Sequence, residues 1–291
     1  MTRHLLTGAE LDAAALEALL DRALEFKAAP LSSDALARRS VALIFEKPST
    51  RTRTSFEAGI VELGGHPMVL RSDDTQLSRG ESLRDTALVL GRHVAAVGVR
   101  TGPDSVLEEL AGQGAVPVFS MLTAGHHPCQ ALADLLTLRE RFGALEGLKL
   151  AYVGDGNNVA RSLAVLGATA GVEVTVAAPA GYQLEPVAGA RLVEDPVQAV
   201  TGAHAVYTDV WVSMGDEASA GERRAALAPY RIHDALLDHA DPGAVALHCL
   251  PAHPGEEITA EVLYGERQAI WDQAENRRHV QKAMLEWLVA G

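Results

Sequence analysis

Ser49-Thr50-Arg51-Thr52-Arg53-Thr54 gathers hydroxyl and guanidinium groups directly after the apolar run Val41–Phe45. That run reads as a buried strand, and Pro48 blocks its continuation. Phe56, Ile60 and Leu63 then mark one face of a helix, and Gly64-Gly65 is its stop signal. The free N–H groups and positive dipole end of that helix converge on Ser49–Thr52, where Arg51 adds a fork that matches phosphate oxygens. Ser49 as a mere N-cap with two surface arginines is the alternative; it suits a lone Ser-x-x-Thr better than this run of consecutive polar groups. The pattern lacks the Gly-x-x-x-x-Gly-Lys of a nucleotide loop, which favours a small phosphorylated molecule over ATP.

Further polar groups follow other apolar runs. Arg100 ends the run from Val94, and His127-Pro128-Cys129-Gln130 follows the run ending near Phe119. Singly, these read as a surface charge and a helix-entry histidine; beside Ser49–Arg53 they gain weight as ligand groups. Gly154-Asp155-Gly156-Asn157-Asn158-Val159 invites a dinucleotide reading, but Val159 takes the third glycine position and no acidic residue closes the second strand. Asn157 and Asn158 are left to bind a small polar substrate or to serve turn chemistry. Asp209-Val210-Trp211-Val212-Ser213-Met214-Gly215 offers a carboxylate and a hydroxyl suited to a substrate ammonium and its polar neighbour. His248-Cys249-Leu250-Pro251-Ala252-His253 places a thiol beside two histidines, either a working group or an inert small hydrophobe. Glu275-Asn276-Arg277 opens the last amphipathic helix, with Arg277 as anion ligand or exposed charge.

These groups need a scaffold that brings strand exits together. Short apolar strands at Val41–Phe45, Val94–Val99, Val116–Phe119, Leu148–Val153, Val172–Ala177, Ala205–Thr208 and Ala244–Leu247 alternate with amphipathic segments, the pattern of parallel α/β sheets. Thr7-Gly8-Ala9-Glu10 reads as a capping box before the stripe Leu16, Leu19, Leu20 and Ala23. A break near Phe142–Gly147 divides the 291 residues into two doubly wound α/β parallel-sheet domains of similar size, with a ligand cleft expected between them at the carboxyl ends of the strands. A net charge of −13 disfavours a nucleic-acid partner. No stretch is long and apolar enough for a signal peptide or membrane span, so a cytoplasmic protein without a membrane partner is expected. Two distant cysteines, Cys129 and Cys249, indicate neither a disulfide framework nor a zinc site, and no cofactor or metal is called for.

Taken together, the segments resemble the carbamoyltransferase family from about Leu5 to Leu288. The resemblance implies that Ser49, Thr50, Arg51, Thr52, Arg100, His127, Gln130 and Arg277 bind carbamoyl phosphate, with Cys249 and Leu250 at its carbamoyl group. Asn158, Asp209, Ser213 and Met214 match positions at which members acting on ornithine hold that amino acid, and Asp-x-Trp-x-Ser-Met-Gly is specific to them. Arg51, His127, Asp209 and Cys249 take the catalytic roles. Gln76 resembles a loop residue inserted into a neighbouring subunit's site, which implies a homotrimer or a multiple of one. The implied domains are 1–143 for carbamoyl phosphate, with a C-terminal helix of about 274–291 packed back onto it, and 144–273 for ornithine. N-acetylornithine and putrescine remain as other second substrates, and a non-catalytic binding protein as another class.

Overall fold

The computed structural model describes residues 2–213 and 217–290. They form two compact units: the chain up to Leu136 with the segment from Glu275 onward, and Thr137–Ala274.

The first unit begins with α1 (Ala13–Ala28), β1 (Ser40–Phe45), α2 (Thr50–Glu62) and β2 (His66–Arg71). It continues through α3 (Leu83–Leu90), β3 (Ala96–Arg100), α4 (Asp104–Gly112), β4 (Val118–Leu122) and the start of α5 (Pro128–Phe142). Its sheet is parallel, in the order β2-β1-β3-β4. β1 is apolar and buried from Val41 onward because helices cover both faces of such a sheet. Phe45 is in register with Arg100, so the carboxyl ends of β1 and β3 open side by side. The Thr7–Glu10 sequence departs from its expected role as a helix start. The Glu10 carboxylate accepts from the N–H groups of Leu6, Thr7 and Gly8, closing a turn, and Asp12 caps α1 by accepting from Ala15 N at 2.8 Å.

The second unit carries β5 (Lys149–Val153), α6 (Asn158–Ala170), β6 (Glu173–Ala177), β7 (Ala190–Val193), α7 (Pro196–Val200) and β8 (Ala205–Thr208). α8 (Ala220–Leu227), α9 (Asp234–Leu237), β9 (Val245–His248), α10 (Ala260–Tyr264) and the first turn of α11 (Ile270–Val289) complete it. The last helix therefore starts before Glu275, at Ile270. This parallel sheet runs β7-β6-β5-β8-β9. The chain leaves β5 toward β6 and later lays β8 on the other side, so the topological switch point falls between β5 and β8, where ligands bind in open α/β sheets. Gly154–Asn157 and Asp209 leave from those two carboxyl ends. Among the described residues, no helix is long and apolar enough to cross a membrane.

Candidate active site

In the first unit the polar groups converge on the start of α2. Ser49 holds the N-cap position, yet its side chain makes no capping bond. The amides of the first turn have no partner within the helix, and Thr50 and Arg51 stand on that turn. Thr52 is buried, and its Oγ1 accepts from Arg277 Nη2 at 2.6 Å. Arg277 Nη1 also donates to Gln130 Oε1 at 3.0 Å, and Gln130 Nε2 donates to Asp134 Oδ1 at 2.8 Å. A buried chain thus links α2, α11 and α5. Burial, followed by the charges of Arg277 and Arg100, holds the His127 imidazole well below the ordinary histidine range. At neutral pH the ring is therefore an uncharged hydrogen-bonding group set among cations.

Glu46, which sequence reasoning passed over, ties the Ser49 loop to the exit of β3. Its N–H donates to Arg100 O at 3.0 Å, and its carboxylate accepts from Thr101 Oγ1 at 2.6 Å. Its partners lie about 55 positions away, so nothing local signals the role. Arg53 takes the bland role, pairing with Glu57 at 3.1 Å on the exposed face of α2. Gln76 stands exposed on a short 3₁₀ turn, Gln76–Arg79. Cys129 is inert: fully buried, its thiol is pushed up to about 12 and donates to Ser120 O.

In the second unit Asp209 is almost buried at the exit of β8. Its Oδ1 accepts from Cys249 Sγ at 2.8 Å and from Val210 N at 2.8 Å, and its Oδ2 accepts from Asn157 Nδ2 at 2.8 Å. Asn158 is the first residue of α6, beside Asn157. Ser213 is half-buried on the loop after Asp209, and Met214 lies outside the described residues. The loop is anchored by Arg223, which donates to Trp211 O at 2.6 Å and pairs with Asp155.

The exit of β9 is held by His248. Its Nδ1 accepts from Leu250 N at 2.8 Å, so its Nε2 carries the proton and donates to the buried Glu257 carboxylate at 3.1 Å. Leu250 thereby keeps a left-handed backbone, φ 60°, that a leucine rarely adopts. Asp209, His248 and Cys249 bring three potential metal-ligand atoms within 4.8 Å of one another. Both nitrogens of His248 are already engaged, so the group does not fit a metal centre. The Gly-x-Gly loop also finds a structural explanation. Gly154 has φ 135°, and a Cβ on Gly156 would meet Leu184 N at 2.2 Å. The chain's own backbone fills the approach that a pyrophosphate would need.

The family model "Aspartate/ornithine carbamoyltransferase, carbamoyl-P binding domain" matches residues 3–140, and its "Asp/Orn binding domain" counterpart matches 146–288. The chain is 52% identical to the ornithine carbamoyltransferase of Acidothermus cellulolyticus, over 99% of this chain and 97% of that protein. It is 50% identical to the Methanoculleus marisnigri protein of the same name, over 91% and 89%. Among solved structures, the ornithine carbamoyltransferase from Pyrococcus furiosus superposes with a TM-score of 0.95 at 43% identity, covering 100% of this chain and 98% of the other. The one from Thermus thermophilus gives 0.93 at 42%, covering 99% of each.

Proposed function

Since the chain belongs to the aspartate/ornithine carbamoyltransferase family, we propose that it is an ornithine carbamoyltransferase, moving the carbamoyl group of carbamoyl phosphate to the δ-amine of L-ornithine and yielding L-citrulline and phosphate. Residues 1–143, with the C-terminal helix from about 274, are assigned to carbamoyl phosphate, and residues 144–273 to ornithine. The observation that carries the reading is the Cys249 thiol on the Asp209 carboxylate at 2.8 Å, an acid–base pair at the mouth of a parallel sheet.

Ser49, Thr50, Arg51, Thr52 and Arg100 hold the phosphate, neutralising it locally in a chain of net charge −13. Arg51, Thr52 and His127 face the carbonyl oxygen, and each well-placed donor to the developing oxyanion is worth about 2.7–4 kcal/mol. Gln130, Arg277, Cys249 and the Leu250 carbonyl orient the carbamoyl end. Asn158, Asp209, Ser213 and Met214 bind ornithine, with Asp209 on its α-ammonium.

The lone pair of the δ-nitrogen attacks the carbamoyl carbon, and the C=O electron pair moves onto oxygen. Its return expels phosphate with the electrons of the C–O bond, and the nitrogen loses a proton. A free δ-amine has a lysine-like pKa of about 10.4, so few molecules are neutral at pH 7. Cys249, oriented by Asp209, relays that proton: its Sγ–H proton passes to Asp209 Oδ1 as the sulfur takes up the one the nitrogen loses.

The same reading places the protein in the cytoplasm, in arginine metabolism and amino-acid biosynthesis, as a homotrimer in which Gln76 reaches a neighbouring subunit's site. Incubating the purified protein with carbamoyl phosphate and, separately, ornithine, N-acetylornithine, putrescine and aspartate tests the function. Carbamoylation of ornithine is expected; preference for another amine would contradict the reading.

A further inference from the structure

Asn157 stands at the N-cap of α6, and three donors meet its Oδ1: Val159 N at 2.9 Å, Ala160 N at 3.3 Å and Tyr152 Oη at 3.1 Å. Two of these are backbone N–H groups, which only donate, so this atom must be the carboxamide oxygen. The NH₂ group is left facing outward, 2.8 Å from Asp209 Oδ2. The orientation of the side chain is therefore set by the two N–H groups of the helix start, which cannot accommodate the flipped amide, and the phenol on β5 adds a third donor.

We propose that Asn157 is a positioning residue for the reaction: its locked NH₂ group fixes Asp209 through Oδ2 and so leaves Oδ1 to accept from the Cys249 thiol. This rests on the roles proposed above for Asp209 and Cys249. The titratable groups near Asp209 are Cys249 and His248 from the β9 exit and Tyr152 from β5; Asp155, on the loop after β5, acts on the same phenol and is paired with Arg223 of α8. Burial, then the charges of Asp209, Cys249 and Asp155, push the Tyr152 phenol well above its usual value, so it remains a donor at any working pH.

Asn157→Asp is the discriminating variant. Aspartate caps a helix as well as asparagine does and still accepts from Tyr152. It replaces the donor aimed at Asp209 Oδ2 with a carboxylate oxygen, and two carboxylates that close cannot both ionise freely. The added negative charge also disfavours the Cys249 thiolate. Tyr152→Phe is the milder companion, because the two backbone N–H groups still lock the amide.

The experiment follows alkylation of Cys249 by iodoacetamide across the thiol titration range, which needs no substrate, together with kcat/KM for ornithine at saturating carbamoyl phosphate and the thermal midpoint. Asn157→Asp is expected to move the alkylation midpoint up by about 0.5–2 pH units. It should also lower kcat/KM for ornithine about tenfold or more, with little change in melting; Tyr152→Phe should change each slightly. Wild-type alkylation and ornithine kinetics in Asn157→Asp would reduce Asn157 to a helix cap and overturn the proposal. A wild-type protein that makes no citrulline, with the alkylation shift still present in Asn157→Asp, would support the positioning role and remove the proposed function.

Discussion

Arg277 Nη2 donates to Thr52 Oγ1 at 2.6 Å across 225 positions of sequence, so a residue near the end of the chain completes the first turn of α2. The same guanidinium holds Gln130 Oε1. Arg277→Ala is expected to weaken carbamoyl phosphate binding about tenfold or more, the scale of a charged hydrogen bond. It should also cost about 1–3 kcal/mol of stability by leaving Gln130 Oε1 and Thr52 Oγ1 buried without that donor. Calorimetric titration with carbamoyl phosphate and urea unfolding check both, and an unchanged Kd would remove Arg277 from the binding role.

His127 gives the fold a pH dependence of definite sign. Its imidazole stays neutral in the folded chain, through burial and then the Arg277 and Arg100 charges, whereas the unfolded chain takes up a proton as the pH falls below about 6.5. The unfolded state then binds more protons, so stability is level above that pH and declines below it. His4 and His279, also lowered chiefly by burial, add to the slope. Urea midpoints across this window should fall less steeply in His127→Gln than in wild type.

The two cysteines should react differently. Cys249 is half-buried at a loop, whereas Cys129 is fully buried with its thiol pushed up to about 12. Native protein treated with iodoacetamide at mildly alkaline pH should label Cys249 alone by mass spectrometry. Cys249→Ala is expected to lower turnover about 10²–10⁴-fold, the range of a general acid–base group. Wild-type turnover across the pH range would dismiss that role.

Gly156→Ala forces a methyl group against Leu184 N, 2.2 Å from its ideal position, and nothing there is a flexible side-chain end. A loss of about 1–3 kcal/mol is expected. Gly112→Ala, where a methyl group meets nothing beyond its own helix within 4 Å, should be neutral or slightly stabilising. Thermal midpoints of the two variants separate these outcomes.

The central strands were legible because burial on both faces writes them as unbroken apolar runs: Ala205–Thr208 carries the bounds read from sequence. β2 and β7 were not, since both are sheet edges, only partly buried, and β2 contains Pro67 in a position tolerated at an edge. The start of α1 was misplaced because Thr7 and Glu10 make their bond in a turn as readily as in a helix. Asp209 and Cys249 stood out as polar residues at strand exits. Asn157 could not be told from Asn158 by composition; only the fold shows which carboxamide meets Asp209. Glu46 acts through a partner 55 positions away that local pattern does not reveal, and an isolated acidic residue reads as surface.

The most direct test of the proposed function measures citrulline and phosphate together in one reaction of purified protein with carbamoyl phosphate, with ornithine present or omitted. Equal release of the two products, dependent on ornithine and lost in both Arg51→Ala and Asp209→Asn, is the predicted result. Phosphate release without ornithine, or full citrulline formation by either variant, would contradict it.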